Sequence, residues 1–210
     1  MASVNAPRGL VLARKNGSGS NSTGISTIPI TQTSAAPSAL MPNNIFTGDP
    51  LIVHIAGTIV PCEPTATDKV WGVFQGVSYV SSTGAQKYSR YWTGGTTATD
   101  VNVHISDDPQ QTYFVQADAS CTVDRYGGYK SANADMVAGS GGSTKTGNSS
   151  YGLDADTGAI TQFPLRVIRR ATWDTGTGTS VGASDAYPWW EVRLNTHIDN
   201  FVTCTVCAHN

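Results

Sequence analysis

The sequence predicts an all-β protein, an antiparallel sandwich or barrel of jelly-roll-like or β-tulip-like form, with an extended N-terminal arm. Short runs of β-branched and aromatic residues alternate with turn residues along most of the chain. The 210 residues include 22 glycines and 10 prolines, which favour turns over long helices. The leading residues, by contrast, carry apolar side chains without any sustained helical or strand period.

That leading segment, residues 1–41, is interpreted as an arm. A stretch rich in Gly, Ser and Asn cannot bury enough apolar surface by itself to offset the entropy lost on ordering. It nevertheless carries more apolar side chains than a free linker would: Leu10, Val11, Leu12, Ile25, Ile28, Ile30 and Leu40. We expect it to become ordered against another surface, and a frayed terminus is the alternative.

The remaining residues, 42–210, are predicted to form one β domain. A β-branched run predicts a strand at 51–56 that continues to an edge at Pro61, because proline cannot donate a ladder hydrogen bond. Val101, Val103 and Ile105 alternate with polar residues, which indicates one buried face. In the first half of this domain the predicted strands are residues 51–61, 70–80, 87–92, 101–105 and 113–116.

The second half of the chain is less regular. Residues 127–158 are polar and rich in glycine, and we interpret them as a small subdomain or an inserted loop at a subunit contact, with one helical turn near 132–138. Strands are predicted at 160–170 and from Trp190, where Val192 and Leu194 continue the alternation. A last strand is predicted at 201–206.

Composition restricts the function. Charged residues make up 13% of the chain and the formal net charge is −2, so nothing indicates binding to nucleic acid or to a membrane surface. The sequence shows neither a membrane-spanning apolar run nor a secretory signal, and we expect folding in a cytoplasm. In that reducing compartment Cys62, Cys121, Cys204 and Cys207 are expected to be buried thiols, and the alternative is a structural disulfide formed once an assembled particle meets oxidising surroundings.

No pattern indicates catalysis or a cofactor. Cys204 and Cys207 have zinc-knuckle spacing but lack a second pair, so no metal site is expected. The stretch from Asp154 to Gly158 opens like a calcium loop, but Leu165 stands where a bidentate Glu is needed, and a turn is favoured. A Gly-x-Ser-x-Gly elbow does not occur. We therefore expect a protein that is not an enzyme.

Six short stretches occur in one order along the chain: residues 5–10 (NAPRGL), 107–118 (DDPQQTYFVQAD), 133–139 (NADMVAG), 151–154 (YGLD), 164–167 (PLRV) and 190–197 (WEVRLNTH). In this the chain resembles the capsid decoration, or cement, proteins and related head structural proteins of tailed phages. The resemblance implies a virion protein on the capsid exterior, made in the host bacterial cytoplasm. Its partners would be the major capsid protein and further copies of itself, a homotrimer being favoured over a dimer.

The resemblance and the arm interpretation together suggest contact residues. Capsid binding is assigned to the arm residues Pro7, Arg8, Leu10, Val11, Leu12 and Arg14. The subunit interface is assigned to Tyr187 and Trp189, because Trp189 and Trp190 point to opposite faces of a strand and one should leave the core. The alternative is a carbohydrate-binding β module or head fibre for host-surface adhesion, in which Trp92 and Trp189 would form sugar platforms.

Overall fold

The structure is a computed structural model of the chain. It describes residues 5–15, 24–30, 37–54, 57–61, 69–119, 133–139, 141–159, 163–171 and 187–200, with the backbone alone at 156–159 and 200. The elements in chain order are β1 (Val11–Lys15), β2 (Ser26–Pro29), α1 (Pro37–Leu40), β3 (Ile45–Phe46), β4 (Pro50–Val53), β5 (Ile59–Pro61), β6 (Gly72–Ser81), β7 (Gln86–Ser89), β8 (Tyr91–Trp92), β9 (Ala98–Ser106), β10 (Gln111–Gln116), β11 (Asn133–Val137), β12 (Gly152–Ala159), β13 (Leu165–Arg170), β14 (Trp189–Leu194) and a 3₁₀ turn, Ile198–Asn200.

The described strands form two large sheets and one small one. Sheet one has the order β1-β10-β14-β13-β11-β12, and sheet two has the order β2-β9-β6-β4-β5 with β7 also paired to β6. β3 and β8 form the third sheet, and the strand pairs within all three sheets are antiparallel. The predicted all-β, sandwich-like class is confirmed. No described helix is long and apolar enough to cross a membrane.

Each large sheet buries its own set of apolar side chains. The first cluster includes Tyr113, Trp190 and Leu165 from sheet one, and the second includes Phe74, Val103 and Trp92. Val73 belongs to the first cluster although its neighbour Phe74 belongs to the second, because successive residues of a strand point to opposite faces. β6 therefore contributes to both clusters.

The early strands largely follow the sequence prediction. Val101, Val103 and Ile105 are buried on one face of β9, as their alternation predicted, and Pro61 lies on the edge strand β5. The run predicted at 51–61 is a hairpin of β4 and β5 instead of one strand, since His54 N donates to Thr58 O across a turn. The run predicted at 87–92 divides into β7 and β8, which join different sheets.

The prediction of a loop or small subdomain at 127–158 is corrected, because much of the described part of this stretch is sheet structure. Residues 133–137, where a helical turn was predicted, form β11, with Ala134 and Met136 buried at the two-residue period of a strand. The residues from Asp154 to Gly158 lie within β12 and not in a turn. The predicted strand at 201–206 and the cysteines at 62, 121, 204 and 207 lie outside the described residues.

The described parts of the leading segment include β1, β2 and the short helix α1, and both strands are integrated into the large sheets. β1 is an end strand of sheet one and β2 is an end strand of sheet two. Leu10 belongs to the first apolar cluster. The predicted division between an arm at 1–41 and a β domain at 42–210 therefore does not match a boundary in the packing.

Candidate functional site

The leading segment is attached to sheet one mainly through backbone groups. β1 pairs with β10, with Val11 opposite Phe114 and Leu12 opposite Tyr113. Just before β1, Gly9 N donates to Tyr151 O at 3.2 Å. These bonds fix the register of the segment, and register determines which side chains face the core.

The six residues predicted to bind a capsid are divided between the core and the surface. Leu10 is 1% exposed, and Leu12 packs against the same apolar cluster. Val11 is 39% exposed and Arg8 is exposed as well, whereas Pro7 is half-buried beside a cleft. The assignment of Leu10 as a contact residue is corrected, because its side chain is inaccessible while β1 remains in the sheet.

Two glycines allow the segment to approach the body closely. Gly9 has φ +69°, and a Cβ at this position would lie 2.5 Å from both Gly48 O and the Ser149 Cβ. Gly48 has φ +98°, and a Cβ there would lie 2.5 Å from Arg8 O. Leu10 N also donates to Gly48 O at 2.9 Å. A side chain at either glycine would push these two backbones apart.

A buried carboxylate links the segment to the centre of sheet one. Glu191 on β14 has no exposed side-chain surface, and its Oε1 accepts hydrogen bonds from Arg14 Nε at 2.8 Å and Thr112 Oγ1 at 2.9 Å. Its Oε2 accepts from Arg169 Nε at 2.5 Å. The two arginines are 35% and 44% exposed, so they form a partly hydrated cover over the carboxylate. Arg14 therefore pairs with the body of the same chain.

The electrostatics favour the ionised carboxylate of Glu191. Burial raises its pKa, but the hydrogen bonds from Arg14, Arg169 and Thr112 outweigh burial and leave the pKa below its usual range. At the end of β1, Lys15 Nζ lies 2.7 Å from Asp108 Oδ2. The hydrogen bond from Lys15 lowers the pKa of Asp108. Two cations of the leading segment are thus paired within the chain.

The predicted capsid and subunit contacts lie close together. Gln116, the last residue of β10, accepts a hydrogen bond from Ala6 N at 2.9 Å and donates through Nε2 to Tyr187 O at 3.2 Å. It is also opposite Trp189 in the pairing of β10 with β14. The start of the leading segment, Tyr187 and Trp189 therefore meet around the buried side chain of Gln116, and we call this region the Gln116 corner.

The two tryptophans on β14 separate as the alternation predicted. Trp190 is buried in the first apolar cluster, and Trp189 is half-buried on the other face. Tyr187 is half-buried and has a φ of 60°, an uncommon value for a residue with a side chain. Trp92, proposed as a sugar platform, is instead buried in the second cluster, where its Nε1 donates to Met41 O at 2.9 Å. Trp92 therefore cannot stack on a ligand at the surface.

A cleft opens beside the Gln116 corner. It has a volume of about 310 Å³ and is lined by Asn5, Pro7, Gln116, Asp118, Gly139 and Ser150, among others. A second cleft of about 310 Å³ shares Gly139 and Ser150 with it and reaches Asp49 and Phe46. Both linings include glycine and serine residues, whose small side chains leave room for an extended polypeptide.

Asp49 is the most strongly perturbed carboxyl group beside these clefts. Its Oδ2 accepts a hydrogen bond from Phe46 N at 2.8 Å, and it follows Gly48, which holds Leu10. Burial raises the pKa of Asp49 from 3.8 to about 6, and hydrogen bonds from Ser149 and Phe46 only partly oppose this. Among the described residues, no three His, Cys, Asp or Glu side chains are grouped to hold a metal ion.

Comparisons with protein-family models, with curated proteins and with solved structures return no match for this chain. Sequence reasoning also missed Glu191 and the contact between Gly9 and Gly48. A signal for Glu191 existed, since a carboxylate between Trp190 and Val192 is unusual in a strand of a chain with so few charges. The glycine contact left no such signal, because it joins residues that are distant in the sequence.

Proposed function

We propose that this chain is a virion structural protein that decorates the outer surface of a tailed-phage head and clamps neighbouring capsid subunits. The ordered stretches that resemble phage decoration proteins suggest the class. The observation that carries the proposal is the position of β1, which among the described strands is an end strand of sheet one, with Val11 exposed and its backbone anchored on one side by β10. An end strand offers backbone donors and acceptors to a second polypeptide.

The contact surface in this proposal is narrower than the one predicted from sequence. It comprises Arg8 and Val11, and the cleft beside Pro7 would bind a side chain of a shell subunit. Arg14 and Leu10 act indirectly, because they hold β1 in the sheet through Glu191 and through the core. The fold thus presents a rigid strand edge, which loses little entropy on binding.

Self-association is part of the same proposal. Tyr187 and Trp189 are proposed as the contact between copies, in a homotrimer rather than a dimer. Because the Gln116 corner joins these residues to the start of the leading segment, association would place several strand edges near one another. Linked weak contacts can exceed a single contact in apparent affinity by ~10²–10⁴-fold. Light scattering coupled to size exclusion measures the number of copies.

The test of capsid binding uses two substitutions matched in chemistry and exposure. Val11 is 39% exposed on sheet one, and Val53 is 44% exposed on sheet two. Phage heads assembled without this protein are incubated with the unchanged chain, Val11→Asp or Val53→Asp, and then sedimented. We expect Val11→Asp to weaken binding by about tenfold or more, since one interface residue can carry more than 1 kcal/mol. Val53→Asp should bind like the unchanged chain.

Deletion of residues 1–23 is a poorer test, because it removes Leu10 from the core and Arg14 from Glu191. Circular dichroism and thermal unfolding confirm that each point variant is folded. The proposal fails if folded Val11→Asp coats the heads as fully as Val53→Asp does, or if the unchanged chain does not sediment with heads at all.

A further inference from the structure

The outer face of sheet two carries a row of hydroxyl and aromatic side chains across four adjacent strands. Thr27 on β2 lies opposite His104 on β9, and Ser78 on β6 lies opposite Tyr88 on β7. Ser78 also lies opposite Asn102 on β9. These five residues, which we call the outer stripe, are all half-buried or exposed, whereas Val101, Val103 and Ile105 point into the second apolar cluster.

Tyr88 is the most exposed large side chain of the stripe, at 65%. Its ring lies over Gly76: a Cβ at that glycine would lie 2.6 Å from the Tyr88 hydroxyl oxygen and 3.0 Å from Cζ. Gly76 therefore lets the tyrosine ring settle onto the backbone of β6. The side of the ring turned away from the strand remains open to solvent as a flat aromatic surface.

His104 supports this arrangement from the neighbouring strand. Its ring centre lies 5.6 Å from that of Tyr88, at an interplanar angle of 42°. Nδ1 lies 3.1 Å from Thr27 Oγ1, and Nε2 lies 3.2 Å from Ser78 Oγ. Because both ring nitrogens have hydroxyl partners, the imidazole is held in one orientation, and each hydroxyl keeps further hydrogen-bonding capacity.

We infer that the outer stripe binds a neutral saccharide of more than one sugar unit, with one pyranose ring stacked on Tyr88 and the hydroxyl groups of that unit and its neighbours bonded to Ser78, Asn102 and Thr27. A pyranose has a face of C–H groups and a rim of hydroxyls, which matches an aromatic ring bordered by hydroxyl and amide groups. The rigid, already ordered surface lowers the entropy cost of binding.

The absence of charge within the stripe favours a neutral ligand. None of its five residues is Asp, Glu, Lys or Arg. A charged sugar or a nucleotide would lose hydration here without gaining an ion pair to any of these five side chains. Nucleic-acid binding also depends mainly on Lys and Arg contacts to phosphates, which the stripe does not contain. The site is independent of the proposed capsid contact, because it lies on the other large sheet.

A purely structural role for Tyr88 is the competing explanation, since an aromatic ring over a strand glycine can simply shield the backbone. Two substitutions separate the explanations. Tyr88→Leu keeps an apolar cover over Gly76 but has no flat aromatic face, whereas Tyr88→Phe keeps the face and loses only the hydroxyl. Tyr91→Phe, at a half-buried tyrosine on β8 of the third sheet, serves as the matched control away from the stripe.

The assay is affinity electrophoresis in native gels that contain dextran, galactomannan or amylopectin, with alginate as the acidic comparison. We expect at least one neutral polysaccharide to retard the unchanged chain, Tyr88→Phe and Tyr91→Phe. Tyr88→Leu and Tyr88→Ala should weaken that interaction about tenfold or more, as truncation of an anchoring aromatic does. Thermal unfolding of each variant verifies that the loss is not a loss of fold.

Two results would overturn the inference. One is no retardation of the unchanged chain in any of the neutral gels, whether or not alginate retards it, and the other is equal retardation of the unchanged chain and Tyr88→Leu. Neither of these results bears on capsid sedimentation, so the two proposals can fail separately.

Discussion

Replacing Asp49 with Asn should stabilise the protein at neutral pH. Asp49 is almost fully buried beside the turn that holds the leading segment, and burial raises its pKa from 3.8 to about 6. An ionised Asp49 is therefore unfavourable in the folded state. An Asn side chain cannot ionise, and its carbonyl oxygen can still accept the hydrogen bond from Phe46 N.

The size of the effect follows from the difference in pKa. A shift from 3.8 to about 6 corresponds to about 3 kcal/mol, at about 1.4 kcal/mol per pKa unit. Below pH 3.8 the carboxyl group is protonated in both states, and Asp49 imposes no penalty. Between 3.8 and 6 the unfolded state releases its proton first, so stability falls as pH rises, and above 6 the full penalty applies.

Thermal and urea unfolding at several pH values measure this directly. At pH above 6, the free energy of unfolding of Asp49→Asn should be about 3 kcal/mol higher than that of the unchanged chain, which corresponds to about 6–12 °C in Tm for a chain of this size. The difference should disappear at the acidic end. Asp100→Asn, at an exposed position with a positive φ that Asn tolerates, is the matched control. A constant difference between Asp49→Asn and the unchanged chain at every pH would refute the reasoning.

Two further substitutions test how the leading segment is held. Arg14→Met should lower the free energy of unfolding by about 1–3 kcal/mol, because Glu191 loses one of its two cationic partners. This loss should shrink in acid, as pH falls through the lowered pKa of Glu191. A loss that does not change with pH would contradict the ion-pair explanation. Gly9→Ala should lower the free energy of unfolding by about 2–5 kcal/mol, because alanine would have to adopt a positive φ and would clash with the backbone at Gly48. Gly84 also has a positive φ, +80°, but lies in open space, so Gly84→Ala should lower it by only about 1–2 kcal/mol. Equal unfolding midpoints for the two alanine variants would show that the contact at Gly48 is not tight.

The sequence could predict those strands in which one face is apolar and buried and the other is more polar. In β9 and β14 one face is buried, so Val103 and Val192 follow a two-residue period that is visible without any tertiary information. β11 and β12 were missed because they consist mostly of Asn, Asp, Ala and Gly, which have low strand propensity, so that tertiary pairing rather than local propensity makes them strands. Single-sequence patterns carry little information about such pairing.

The same limit explains why sequence reasoning missed the burial of Glu191. Its position on the strand was predicted correctly, since it alternates with Trp190 and Val192. Its burial, however, depends on β1, which brings Arg14 over it from a segment 177 residues earlier in the chain. A prediction that treated the leading segment as a separate arm could not cover that carboxylate.

The integration of the leading segment changes how a decoration protein would act. A loose arm would have to be ordered on the shell, and each ordered residue would cost roughly 1–2 kcal/mol of backbone entropy. Here β1 is already ordered by β10, by Leu10 in the core and by the pair between Arg14 and Glu191. That ordering belongs to folding rather than to binding, so a small exposed surface around Arg8 and Val11 can be sufficient for attachment when several copies bind together.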